Sequence, residues 1–376
     1  MENFVRYGVG EQSFEVMRER DCLYVDKTKF IEDIVKSGGQ YYFLGRPRRF
    51  GKSLFLSTLK CFFQGRRELF KGLYVDSMDW DWEPYPVLYL DLNIEKYQQY
   101  GDLNDVVESS MRKWEEKFDI HPISTNLSVR FKEIIEGAFK KTGKRVVILV
   151  DEYDKPLVSN LHNNEMFEYY RNELASLYSN FKSSAQYIRL VFLTGVSRFG
   201  HLSVFSGLNN IRDISFNDLF SDICGITENE LFSYFKIGIK NLAENLNRSE
   251  TEIKHELKSR YDGYRFSANG KEMYNPFSIV SVMEDRTFGN YWIQSGQASL
   301  LVQQLKRFDI DLEALLNIEC EIQSLAGLDL EDPNPVALFY QTGYLTIKKY
   351  NPDFELVTLG LPNKEVTDAF LNWIVE

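Results

Sequence analysis

Gly51, Lys52 and Ser53 stand side by side, and each is a residue type that grips a phosphate chain in its own way. A glycine lets backbone N–H groups close on phosphate oxygens, a lysine sets a positive charge beside the terminal phosphates, and a serine hydroxyl can ligate Mg²⁺. The regular form of such a loop carries its first glycine five positions before the second; here that position is Arg46, and Gly45 comes one residue earlier. Pro47 also removes one amide donor. Either the loop is bulged by one residue, or it opens without a glycine in its first turn. The candidate phosphate-binding stretch is Gly45, Arg46, Pro47, Arg48, Arg49, Phe50, Gly51, Lys52, Ser53 and Leu54. Arg48 and Arg49 lie inside it, where phosphate, nucleic acid or a carboxylate could each be the partner.

A triphosphate site also needs an acid that orients Mg²⁺ and a base for the attacking water. In KRVVILVDEYDKP an apolar run ends abruptly in Asp151 and Glu152. Ser53 and Asp151 are the expected Mg²⁺ ligands, the carboxylate acting through water, and Glu152 is the expected base. A further apolar run, IRLVFLTGVSRF, ends in Thr194, a candidate sensor of the γ-phosphate or the water. The plainer role for Thr194 is to satisfy the last backbone groups of its strand. Arg198, and Arg265 in YDGYRF, are candidates for stabilising transition-state charge, with ordinary ion pairing as the alternative for each. Asp26 with Lys27, and Asp154 with Lys155, are expected to tether the surroundings of the loop through ion pairs.

These residues need a scaffold, and the apolar pattern supplies one. QYYFL reads as a buried strand, GRPRRFGKS as a loop and LFLSTLKCFF as an apolar helix, the context a phosphate-binding loop requires. PVLYLDLN, KRVVILV and IRLVFLTG read as further buried strands, with helices between them over DVVESSMRKWEEKF, SVRFKEIIEGAFKK and EMFEYYRNELASLYSNFKSS. Strands alternating with helices predict a parallel sheet with helices on both faces. From about Cys224 the apolar strands stop, and ENELFSYFKIGIKNLAENL, TEIKHELKSRYDGY, NPFSIVSVME and ASLLVQQLKRF read as helices. Beyond about Asp329, VALFYQTGYLTIKKY and FELVTLGLP suggest a hairpin or a small α+β winged-helix-like module, followed by a helix over VTDAFLNWIVE. The expected division is 1–223 for the α/β nucleotide domain, 224–328 for a helical lid-like part and 329–376 for the terminal module.

The 376 residues are 44% hydrophobic, enough for a large core, and carry a net charge of −11. That acidity argues against nonspecific nucleic-acid binding by the bulk surface, which needs excess Lys and Arg. The four cysteines are scattered, with no C-x-x-C pairing and no histidine at ligand spacing, so neither a disulfide framework nor a structural zinc is expected. MENFVRYGVGEQ lacks the basic start and apolar run of a signal peptide, and no apolar stretch approaches the roughly 20 residues needed to span a bilayer. The expected compartment is the cytoplasm.

Taken in order, YVDKTKFI, FLGRPRRFGKSL, YPVLYLDLN, VILVDEYDKPL, FLTGVSRFGHLSVFSGLNN, CGITENEL, YDGYRFS, YNPFSI and YQTGYLTI resemble the bacterial AAA-ATPase-like family, whose members commonly continue into a PD-(D/E)XK nuclease domain. The resemblance covers nearly the whole chain. It implies a P-loop NTPase fold of the ASCE type, ATP and Mg²⁺ as ligands, and Arg46 as a family trait of the loop. Coupling to DNA or to a nuclease is a further expectation, as is a homo-oligomer. No D-x(n)-E-x-K strand pair follows Asp329, so nuclease activity is not expected of these residues. Two functional readings follow: an ATPase serving as a switch or motor, and a nucleotide-binding interaction module with little turnover. A DNA-binding module resting on the terminal part is weakened by the acidic balance.

Overall fold

The computed structural model describes residues 5–93, 95–198, 210–294, 317–327 and 335–375, with side chains described as far as Leu371. The chain forms two compact units, one of Thr28–Gly45 and Phe55–Ile214, the other of Met1–Lys27, Arg46–Leu54 and Ser215–Glu376.

The first unit is built on a five-stranded sheet of β1 (Tyr41–Gly45), β2 (Val87–Asp91), β3 (Val146–Asp151), β4 (Ile188–Gly195) and β5 (Arg212–Asp213). Their order is β2-β3-β4-β1-β5 and every pair is parallel. The sequence dictates this arrangement, because strands covered on both faces must be apolar at every position rather than at alternate ones. Val146, Val147, Ile148, Leu149 and Val150 are all buried to within 1%. The register pairs Gly45 with Gly195, Val150 with Leu193 and Asp91 with Asp151, so the C-terminal ends of β1 to β4 form one edge.

Helices Asp102–Phe118, Leu127–Thr142 and Asn164–Ser183 flank the sheet. The second buries Phe131, Ile134, Ile135 and Ala138, spaced three and four apart as one helical face requires. Asn126 begins it by accepting the Val129 amide, a cap that stabilises by about 1 kcal/mol, and Gly143 ends it at φ 69°.

In the other unit, helices Glu228–Tyr234, Lys236–Leu246, Glu250–Tyr261 and Pro276–Asp285 enclose a core that includes Leu231, Phe235, Ile239, Leu257 and Ile279. Two of them start where T-E-N-E and S-E-T-E place a hydroxyl three residues before a glutamate, and both form complete capping boxes at Thr227 and Ser249. The expected helix over TEIKHELKSRYDGY ends at Tyr261, before Asp262-Gly263, and ASLLVQQLKRF lies outside the described residues. A second sheet, of β6 (Glu319–Glu321), β7 (Thr346–Asn351) and β8 (Leu356–Gly360), is antiparallel in the order β6-β8-β7. The expected hairpin is the β7-β8 pair, whereas VALFYQT forms the helix Pro335–Thr342 and the chain closes on the helix Lys364–Val375. Among the described residues no helix is long and apolar enough to cross a membrane.

Candidate functional site

The chain leaves β1 at Gly45, passes through residues 46–51, and enters the helix Lys52–Phe63. Arg49 (φ 65°) and Gly51 (φ 96°) both take left-handed backbone angles. That is natural for a glycine and costs roughly 1–2 kcal/mol for an arginine. The loop therefore holds a shape that its own sequence only half favours, and its surroundings must supply the rest.

They do so largely through segments that carry the family resemblance, all within the same compact unit. Arg46, which stands where a glycine is usual, is 2% exposed; it donates to the carbonyls of Ser215 (2.7 Å) and Phe220 (3.0 Å) and lies 4.4 Å over the Phe266 ring. Here the guanidinium acts as an internal pin. Phe50 packs edge-on against Tyr264 and Phe266 of YDGYRF, and its carbonyl accepts the Gly225 amide of CGITENEL at 3.1 Å. The Arg49 guanidinium lies 4.9 Å over Phe277 of YNPFSI. Gly343 of YQTGYLTI has φ 90°, and a Cβ there would come within 2.8 Å of the Pro47 ring. Lys52, 3% exposed, donates to the Arg46 and Pro47 carbonyls at 3.0 and 3.2 Å, bracing the loop. Ser53 and Leu54 follow it, half-buried in the first helical turn.

One of the expected tethers and one arginine also fall in this unit. Lys27 pairs with Glu230 at 2.7 Å; burial pulls the lysine pKa down and the glutamate counters it. Arg265 donates to Glu272 at 3.3 Å and through its amide to the Thr346 hydroxyl at 2.7 Å, the ordinary ion-pairing role foreseen as its alternative.

The acidic residues belong to the sheet unit, on the edge where the strands end. Thr194 donates its hydroxyl to Asp151 Oδ1 at 2.6 Å and accepts the Glu152 amide at 3.4 Å. A hydroxyl has one proton to give. That proton is committed to Asp151, so Thr194 orients the acid. Tyr89 also donates to Asp151, at 3.3 Å, and burial raises its pKa, with Asp151 and Asp91 adding to the rise. Asp91 sits opposite Asp151 in the register, its pKa raised first by burial and further by the Glu152 charge. Glu152 is buried and left-handed at φ 52°, a strained backbone at the residue expected to act as base. Arg198 is held by Asp213 at 2.8 Å.

The turn after Glu152 is fixed tightly. The Asp154 carboxylate, 1% exposed, accepts the amides of Val196 (3.0 Å) and Ser197 (2.6 Å), while Tyr153 donates through its amide to Thr194 O and through its hydroxyl to Ser197 O, each at 2.9 Å. Asp154 thus secures the turn through backbone amides. Gly195 has no room for a side chain, since a Cβ would lie 2.6 Å from Asp154 Oδ1 and 2.8 Å from the Tyr153 ring. Gly195→Ala is accordingly expected to cost about 1–3 kcal/mol, as overpacking does. A thermal melt checks it, and an unchanged midpoint would contradict the rigidity of this edge.

Asp151, Glu152 and Thr194 are candidates in the sequence; Asp91 is not among them, although it ends an apolar run just as Asp151 does. Tyr89 gave no such signal, because a tyrosine in a strand usually reads as packing.

A parallel sheet whose first strand runs into a glycine- and lysine-bearing loop and then a helix is a P-loop-like α/β architecture. Residues 7–205 match the family described as predicted AAA-ATPase, and the chain belongs to that family. It is also similar, at 37% identity over 341 residues, to a protein of Azotobacter chroococcum mcd 1 described as an uncharacterized protein in the vnfD 5′ region. That similarity covers 90% of this chain, which spans 63% of the length of the Azotobacter protein.

Proposed function

We propose that the chain binds ATP with Mg²⁺ through the loop Gly45–Leu54 and hydrolyses it as a P-loop ATPase of the ASCE type. The observation that carries this reading is Lys52, an ammonium 3% exposed at the first position of a helix. The amino end of a helix is the positive end of its dipole, and a buried cation there is electrostatically costly. A polyphosphate on the same loop offsets that cost. The order β2-β3-β4-β1-β5 supports the reading, since it inserts the Thr194 strand between the strand feeding the loop and the strand ending in Asp151.

In this reading Ser53 and Asp151 hold Mg²⁺, with the ion's charge helping to neutralise the phosphates. Among the described residues no group of three or more His, Cys, Asp or Glu side chains could hold a metal ion. A Mg²⁺ shared with phosphates requires only one or two protein oxygens, and a hydroxyl and a carboxylate are suitable hard ligands. Thr194 keeps Asp151 oriented, and Glu152 takes the proton of the attacking water. Residues 224–328 as a helical lid-like part, 329–376 as a winged-helix-like module, and coupling of turnover to DNA or a nuclease complete the proposal.

Thermal melts with ATP, with and without Mg²⁺, test binding. At about 100 times Kd a ligand adds about 2.7 kcal/mol of stability, so a clear Mg²⁺-dependent rise in Tm is expected. No rise with millimolar ATP or ADP would overturn the proposal. The ATPase assay run with and without DNA tests the coupling, and DNA-stimulated turnover is expected.

A further inference from the structure

A phosphate loop that carries arginine and proline in its opening turn needs its shape imposed from outside. One of the hydrogen bonds that impose it enters the middle of the loop: the indole Nε1–H of Trp292 donates to the Arg48 carbonyl at 3.0 Å. Arg48 directly precedes the left-handed Arg49, so this bond fixes the peptide at the point where the backbone turns over. Trp292 is fully buried, with Tyr264 and Tyr344 against its ring. Its own backbone amide donates to Glu365 Oε1 at 2.8 Å, and the other carboxylate oxygen accepts the Ser278 hydroxyl at 2.8 Å. Glu365 thereby joins the helix Pro276–Asp285, the short helix Tyr291–Gln294 and the helix Lys364–Val375 around one carboxyl group. A carboxyl with no exposed surface is a costly thing to keep in a core. Burial pushes its pKa up to about 7, against the lowering by the Trp292 amide, the Ser278 hydroxyl and Arg260. A hydrophobic residue would pack there at less cost, but it could not hold the Trp292 amide.

We infer that Trp292 and Glu365 are positioning residues for nucleotide binding: Glu365 fixes the turn that carries Trp292, and the Trp292 indole holds the phosphate loop in its binding shape. The inference rests on the reading that residues 45–54 bind ATP. It makes the far C-terminal helix a determinant of nucleotide affinity without any contact with the nucleotide.

The test measures Kd for Mg·ATP and Mg·ADP by calorimetric titration of the full chain, beside the melting temperature without ligand. Trp292→Phe keeps the ring and removes the N–H. It is expected to weaken both nucleotides about tenfold while the unliganded Tm stays within a few degrees. Glu365→Ala is expected to weaken them at least as much, and Glu365→Gln, which keeps an acceptor for the Trp292 amide, to recover most of the affinity. A wild type that binds while Trp292→Phe binds equally well sinks the inference and leaves the ATP reading standing. A wild type that does not bind sinks both. If Glu365→Ala fails to fold, the comparison of Glu365→Gln with Trp292→Phe decides alone: near-wild-type affinity in the first with a loss in the second supports the relay, and equal losses overturn the role given to the Glu365 acceptor.

Discussion

Lys52→Ala is expected to abolish ATP binding, with Kd weakened by more than a hundredfold and the thermal stabilisation by Mg·ATP lost. Two losses combine in this one substitution. The positive charge that faces the phosphates goes, and charge-assisted hydrogen bonds are worth about 1.5–3 kcal/mol each. The brace goes too, because the ammonium donates to the Arg46 and Pro47 carbonyls and holds the opening turn of the loop closed. A hundredfold in affinity is about 2.7 kcal/mol, so either loss alone approaches it. The two are separable. Lys52→Arg keeps a charge but cannot reproduce the compact ammonium in a site 3% exposed, and it is expected to bind weakly rather than not at all. Differential scanning fluorimetry with a nucleotide titration reads both variants. A Lys52→Ala protein that ATP stabilises as well as wild type would falsify the assignment of the loop.

The parts of this site that were legible in the sequence are those whose signal is local. β1, β3 and β4 were readable because a strand buried on both faces is an unbroken apolar run, and Asp151 because a charge ending such a run is conspicuous. β5 was not. Arg212 and Asp213 have no strand character of their own, and they pair only because β1 offers an open edge, with the Ile214 amide bonding to Phe43 O at 2.9 Å. VALFYQTGYLTIKKY suggests a hairpin or a winged-helix-like module, and the helix over its first half is marked by Pro335 at its first position and Gly343 just past its end, at φ 90°, a start and a stop signal. The role of Trp292 could not have been read at all, because its partner carbonyl lies 244 positions away.

The same distinction explains the arginine in the loop. From the sequence, Arg46 is an irregularity in a phosphate-binding pattern and, by the resemblance, a family trait of the loop. Its guanidinium is spent inside the protein, on two carbonyls and an aromatic face. What a glycine would give a regular loop through backbone freedom, this loop obtains through contacts with YDGYRF, YNPFSI, CGITENEL and YQTGYLTI. Those segments are consequently part of the nucleotide-binding apparatus in the proposed function, although none of them has phosphate-binding chemistry.

Glu152→Gln is expected to lower turnover by about 10²–10⁴-fold, the usual contribution of a general base, while Kd for Mg·ATP stays within a few-fold of wild type. The amide has the shape of the acid and is compatible with the left-handed backbone at φ 52°, so the Thr194 bridge from the Glu152 amide to Asp151 should survive. What disappears is the capacity to take a proton from water. Asp91 is the rival base, since it ends the neighbouring strand opposite Asp151 and its pKa is raised by burial, with Glu152 adding to the rise. Asp91→Asn is therefore the informative companion. A loss confined to Glu152→Gln places the base at the end of β3; a loss confined to Asp91→Asn moves it to β2. A wild type that binds ATP but turns over no faster than Glu152→Gln favours the reading of a nucleotide-binding module with little turnover. In that case the strain at residue 152 serves only to aim the turn that Asp154 fastens to the end of β4.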